Sequence, residues 1–232
     1  MAIFRFKSPR SHHLIDDIAG AIHWNYDRAE LIADAVVHII GLGFGLIAST
    51  VLIVLSGRFS PPSDIFAVSV YAVGLLTMLA LSATYNMWPV SPRKWVLRRF
   101  DHSAIYVLIA ATYTPFVMQI KDSTAAWLLL GGIWLVAVIG ILIKLFLPGR
   151  FDRVSIGLYL AMGWSGFVVY DAVVASLPPF TLWLIAIGGL LYTFGVVFHA
   201  WQRLRFQNAI WHGFVLSAAA CHYVAVLDLV LA

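Results

Sequence analysis

Seven runs of about twenty mostly apolar residues follow one another along this chain, near 34–56, 65–87, 102–120, 125–147, 154–176, 179–200 and 209–231. At 1.5 Å per residue each helix would be roughly 30 Å long, the thickness of a bilayer's hydrocarbon core. In that solvent the backbone must satisfy its own hydrogen bonds, so long uniform runs mean helices. The short alternating strands of a closed barrel are not present in the pattern. Composition agrees: 62% of the residues are hydrophobic and 11% charged, whereas a soluble domain carries about 25% charged. The expected fold is therefore all-α, a polytopic seven-transmembrane helix bundle over 34–231. Residues 1–33 precede it as a charged N-terminal segment, in which Leu14, Ile15, Ile18 and Ile22 fall at the spacing of an amphipathic surface helix.

Two connections are only a few residues long, Lys121–Thr124 and Leu177–Pro178, and they force antiparallel neighbours. Pro115 lies inside the third run and is expected to kink it, with Tyr113 and Thr114 satisfying the freed carbonyl. Gly41, Gly43, Gly45, Gly131, Gly132, Gly188 and Gly189 are expected at close helix contacts. Cys221 is the single cysteine, so no disulfide framework exists.

The basic residues set the orientation. Of 15 lysines and arginines, thirteen fall in the N-terminal segment and in the second, fourth and sixth connections. Arg58 and Lys121 alone lie in the intervening ones. This asymmetry places the N-terminus in the cytoplasm and the C-terminus outside, in a multi-pass protein of the inner (plasma) membrane. It also explains the net charge of +4 without a nucleic-acid partner; membrane lipid is the expected partner, and no oligomeric state can be read.

Orientation sorts the polar residues by depth. Glu30, Asp34 and His38 lie four residues apart at the cytoplasmic end of the first run, so they share a helix face. Ser82 and Asn86 close the second run on that side. Asp101 and His102 open the third, His199 ends the sixth, and Asn208 and His212 begin the seventh. His222 lies about 15 Å deeper. Four or more helices thus bring carboxylates, amides and imidazoles into one layer, which hydrocarbon tolerates only when such groups meet one another or water. Simpler roles compete: Glu30 as a solvated helix end, Asp101 as a cap for the third helix, His102 and His199 as interfacial residues, His222 as a buried hydrogen-bonding histidine, and the amides as packing contacts.

The stretches RRFDHSAIYVLIAATYTPF and AIWHGFVLSAAACHYVAVL resemble the haemolysin III family, bacterial relatives of the progestin and adipoQ receptors, and the resemblance covers about 30–232. It implies seven spans with a cytoplasmic N-terminus. It also implies a Zn²⁺ between helices near the cytoplasmic side, held by the histidine of an S-x-x-x-H motif in the second span and two of an H-x-x-x-H motif in the seventh. An aspartate at the start of the third span positions or activates water. In this chain the motifs read Ser82-Ala83-Thr84-Tyr85-Asn86 and Asn208-Ala209-Ile210-Trp211-His212, so asparagine stands at two ligand positions. The first-span motif E-x-x-x-N-x-x-x-H reads Glu30, Asp34, His38, with an acid for the central amide. Two outcomes follow. Asp34, His38, Asp101 and His212 form a rearranged metal site, or the metal is lost and Asn86 and Asn208 complete a hydrogen-bonded network. The functional expectation is membrane lipid or energetics homeostasis. The alternatives are a ceramidase-like lipid amide or ester hydrolase, with Asp101 and Ser82 catalytic, and a pore-forming cytolysin.

Overall fold

A computed structural model describes residues 26–232. The surface helix expected around Leu14–Ile22 lies outside the described residues. The helices are α1 (Arg28–Phe59), α2 (Pro62–Met87), α3 (Pro92–Val117), α4 (Ser123–Phe146), α5 (Asp152–Gly163), α6 (Tyr170–Ser176), α7 (Pro179–Ala200) and α8 (Gln207–Leu231), with a 3-10 turn at Ser165–Val169 between α5 and α6. Among the described residues there is no strand. Six segments are long and apolar enough to cross a membrane: α1, α2, α4, the α5–α6 unit, α7 and α8. The apolar part of α3 is shorter, because Arg93, Lys94, Arg98, Arg99 and Asp101 all fall in its first turns.

Successive helices pack side by side, α1 on α2, α2 on α3, α3 on α4 and α7 on α8, and α8 returns to α1. The α5–α6 unit fills the remaining gap between α4 and α7, and it is the thinnest wall, with Ser155 and Met162 its buried residues. One apolar core joins α1, α2 and α8 through Leu52, Tyr71, Leu75 and Val226. A second joins α3, α4 and α5 through Tyr106, Ile133, Ala137 and Met162. Between lipid-bathed helices such cores act through close van der Waals packing rather than through release of water. A Cβ on Gly74 would collide with Ala111, which shows how near α2 and α3 lie.

Three expectations change. The third helix begins ten residues before the expected start at 102. Ser91 caps it through the Lys94 amide and Pro92 supplies the favoured first position, so the basic connection itself is helical. Asp101 is therefore an interior residue of α3 and not its cap. Gly43, Gly131 and Gly132 face open space, whereas Gly45, Gly188 and Gly189 do make close contacts. Finally, the fifth run is broken at Trp164. The Tyr113 hydroxyl donates to the Gly163 carbonyl at 2.7 Å and accepts from the Gly166 amide at 3.1 Å. Tyr113 thus serves this break and not the carbonyl freed by Pro115, while Thr114 bonds the Ala110 carbonyl.

Candidate functional site

The first turns of α1 and α8 are tied together. Asp27 and Glu30 form a reciprocal capping box on α1. The Glu30 amide, with Arg205 beside it, holds the Asp27 carboxyl below its usual range. Glu30 Oε1 also accepts from the Phe206 amide at 3.0 Å, and Arg205 pairs with Asp27 at 3.2 Å. Phe206 has φ of 59°, an uncommon conformation for a residue with a side chain. Glu30 is thus more than a solvated helix end: it fixes where α8 starts, and so where Asn208 and His212 point.

One turn further in, the side chains converge on Asp34, which is 6% exposed. Asp34 Oδ1 lies 2.6 Å from His212 Nδ1. Asp34 Oδ2 accepts from Asn208 Nδ2 at 2.9 Å. The same Asn208 amide donates to Asn86 Oδ1 at 3.1 Å, and Asn86 Nδ2 donates to the Ser82 carbonyl at 3.0 Å. The His38 and His212 rings are 4.4 Å apart. His38 Nε2 is 3.6 Å from Asp34 Oδ2, too far for a hydrogen bond, and is buried without a partner. A buried imidazole nitrogen with nothing to bind is costly and calls for an explanation.

The donor set supplies one. Ligand atoms of Asp34, His38 and His212 all lie within 4.8 Å of one another. Two imidazoles and a carboxylate suit zinc or a similar divalent ion, and His38 Nε2 would be one of its ligand atoms. The residues fit a metal. Of the two asparagines standing where histidines were expected, Asn208 bonds the Asp34 carboxylate, as an outer partner of a metal ligand does, and Asn86 accepts from Asn208 in turn. Asp101 is outside this three-residue set; it lies against Ser82, within electrostatic reach of His212, His38 and Arg98.

All of these groups but His38 line one open cavity of 2980 Å³ between the helices. Its deeper wall is mostly apolar, with Ile105, Ile109, Phe116, Leu182 and Ile185 among its residues. His222 reaches it as well, with Nε2 3.3 Å from the Ile185 carbonyl, the buried hydrogen-bonding role. His102 also lines it; its carbonyl accepts from Tyr159 at 2.8 Å. His199 packs its ring against Trp211, and its Nδ1 is buried without a partner. In the sequence Lys94 and Arg98 bear only on orientation. Both in fact line the cavity. Their spacing with His102, four residues apart on one helix, was the available signal.

The family model described as haemolysin-III related matches residues 30–223, most of the chain. The chain belongs to the haemolysin III family. Among its relatives, a hemolysin-3 homolog of Bacillus subtilis (strain 168) is 36% identical over 85% of this chain and 93% of its own length. Hemolysin-3 of Bacillus cereus is 35% identical over 87% of this chain and 92% of its own. The human monocyte to macrophage differentiation factor is 33% identical over 68% of this chain and 67% of its own. No solved structure matches. As a haemolysin III member with six membrane-length apolar segments, the chain is an integral, multi-pass membrane protein.

Proposed function

We propose that this haemolysin III chain is a seven-span protein with a cytoplasmic N-terminus that maintains membrane lipid composition, acting on lipid through a divalent metal held by Asp34, His38 and His212. The observation that carries the reading is the unpartnered, buried His38 Nε2 beside an acid and a second imidazole, Asp34 and His212, which line the polar end of a largely apolar, lipid-sized cavity. In the orientation read from the basic residues, that end faces the cytoplasmic leaflet.

The arrangement suits hydrolysis of a lipid amide or ester. Zinc or a similar ion, when bound, supplies Lewis acidity for such a reaction. The protein's own groups do the rest. Asp101, within α3, accepts the proton of the attacking water and returns it to the amine or alcohol that leaves as the acyl C–N or C–O bond breaks, freeing the fatty acid. Ser82, against Asp101, offers its hydroxyl to the acyl oxygen as charge develops there. The apolar wall holds the acyl chain and keeps bulk water from the reacting bond. Asn208 keeps Asp34 turned toward His212 throughout.

The test uses protein reconstituted in liposomes containing an N-acyl sphingoid lipid or a diacyl lipid, with released fatty acid measured. Release that disappears in Asp101→Asn and in His212→Ala, with helical content unchanged, is the expected result. Absence of release by zinc-loaded wild type from either lipid would remove the hydrolase step.

A further inference from the structure

Two lysines of this chain do the opposite of what lysines near a membrane interface normally do. Lys94 is 7% exposed and Lys144 is 3% exposed, although a lysine there ordinarily extends its ammonium to water. Lys94 Nζ donates to the backbone carbonyls of Asn86 at 3.0 Å and Trp88 at 2.8 Å, and lies 5.2 Å from the Tyr85 ring centre. Among the described residues no carboxylate is within ion-pair distance of it; Asp34 and Asp101 act on it from further away. An ammonium has three N–H donors, so one remains for a ligand. Arg98, one turn along the same face of α3, and Lys144 of α4 share a single acid, Asp152, each at 2.6 Å. Arg153 lines the same rim. Four cations thus border this side of the cavity, and the one carboxylate bonded to any of them, among the described residues, is Asp152.

Beyond that rim the character of the wall changes. Residues 94, 98, 102, 105, 109, 112 and 116 recur at three- and four-residue steps along α3, and all of them line the cavity. The stripe starts with Lys94, Arg98 and His102 and continues through Ile105, Ile109 and Phe116. From Arg98 to Phe116 it runs about 27 Å, enough to take an acyl chain past the bilayer midplane. Positive at one end and apolar below is the complement of an amphiphile with an anionic head.

We propose that Lys94, Arg98 and Lys144 form a phosphate-binding subsite on the cavity rim, so that the ligand of this cavity carries a phosphate group, with any acyl chain lying along the α3 stripe. Basic pockets between helices on the cytoplasmic side are where anionic headgroups bind. Asp152 holds two of the three cations while the subsite is free, and a phosphate competes with it. The proposal rests on the lipid-handling reading of the cavity but not on its metal.

Native mass spectrometry of the purified full chain in detergent tests this, with phosphatidylglycerol, diacylglycerol of the same acyl chains, and inorganic phosphate as probes. Phosphatidylglycerol should be retained over diacylglycerol, with affinity falling about fivefold for each charge removed in Lys94→Gln and Arg98→Gln. Arg58→Gln, the same charge change far from the rim, should have no effect. Asp152→Asn should strengthen retention, a gain that misfolding would not produce. Retention that millimolar phosphate does not displace assigns the subsite to a lipid headgroup; binding of phosphate alone with displacement of the lipid assigns it to a soluble phosphate, and both uphold the subsite. Equal retention of the two lipids, or a preference unchanged in the Lys94 and Arg98 variants, overturns it. Zinc bound normally by a chain without the preference would separate failure here from failure of the metal reading.

Discussion

At the scale of single residues, the centre turns on one acid. Asp34 is the acceptor shared by His212 and Asn208, and Asn208 passes the connection on to Asn86. Asparagine is a weak zinc ligand, so two of them in the expected histidine positions read, from sequence, equally well as loss of the metal or as its relocation. Only the geometry shows that Asn208 serves the carboxylate and that Asn86 holds Asn208. The expected consequence is that Asn208→Ala weakens zinc binding roughly 10–100-fold, as loss of an outer partner of a metal ligand does. Competition titration against a chromophoric chelator measures it. Affinity equal to wild type would mean that the amide does not position Asp34.

At the scale of elements, the fifth span is the departure from a regular bundle. Its residues 154–176 carry Gly163, Ser165 and Gly166 at the break, a local mark of interruption, but nothing local shows that the break is satisfied from another helix. The partner is Tyr113 on α3, about fifty positions earlier, whose hydroxyl serves both the Gly163 carbonyl and the Gly166 amide. Nor does helical spacing reveal which glycines face a neighbour: Gly45 does and Gly43 does not. What the sequence does carry well is anything repeated locally. Six of the apolar runs reappear as membrane-length segments, though the fifth is broken, and Glu30, Asp34 and His38, like Asn208 and His212, stand four residues apart on single helices as expected. Tyr113→Phe should lower stability by about 1 kcal/mol, the net worth of an ordinary hydrogen bond. Thermal unfolding in detergent reads this, and an unchanged midpoint would show that the broken segment is satisfied without Tyr113.

At the scale of the whole molecule, Asp34, Asn86, Asp101, Asn208 and His212 line one end of one cavity, and the orientation proposed from the thirteen basic residues turns that end to the cytoplasm. Alkaline phosphatase fused after residue 232 should be active, because that enzyme requires an oxidising compartment for its disulfides; fused in the connection between α2 and α3 it should be silent. The reverse pattern would move the site to the outer leaflet, and the lipid reading with it.

The central claim is that Asp34 rebuilt a metal site in a chain that lacks two of the expected histidines. Elemental analysis of the protein purified from membranes, alongside Asp34→Asn and His38→Ala, tests it most directly. One equivalent of zinc or another divalent metal per chain, lost from both variants while the helical spectrum is kept, is the predicted result. A wild-type chain that stays metal-free even after incubation with zinc would contradict it, and the Asp34 network would then be a hydrogen-bonded core and nothing more.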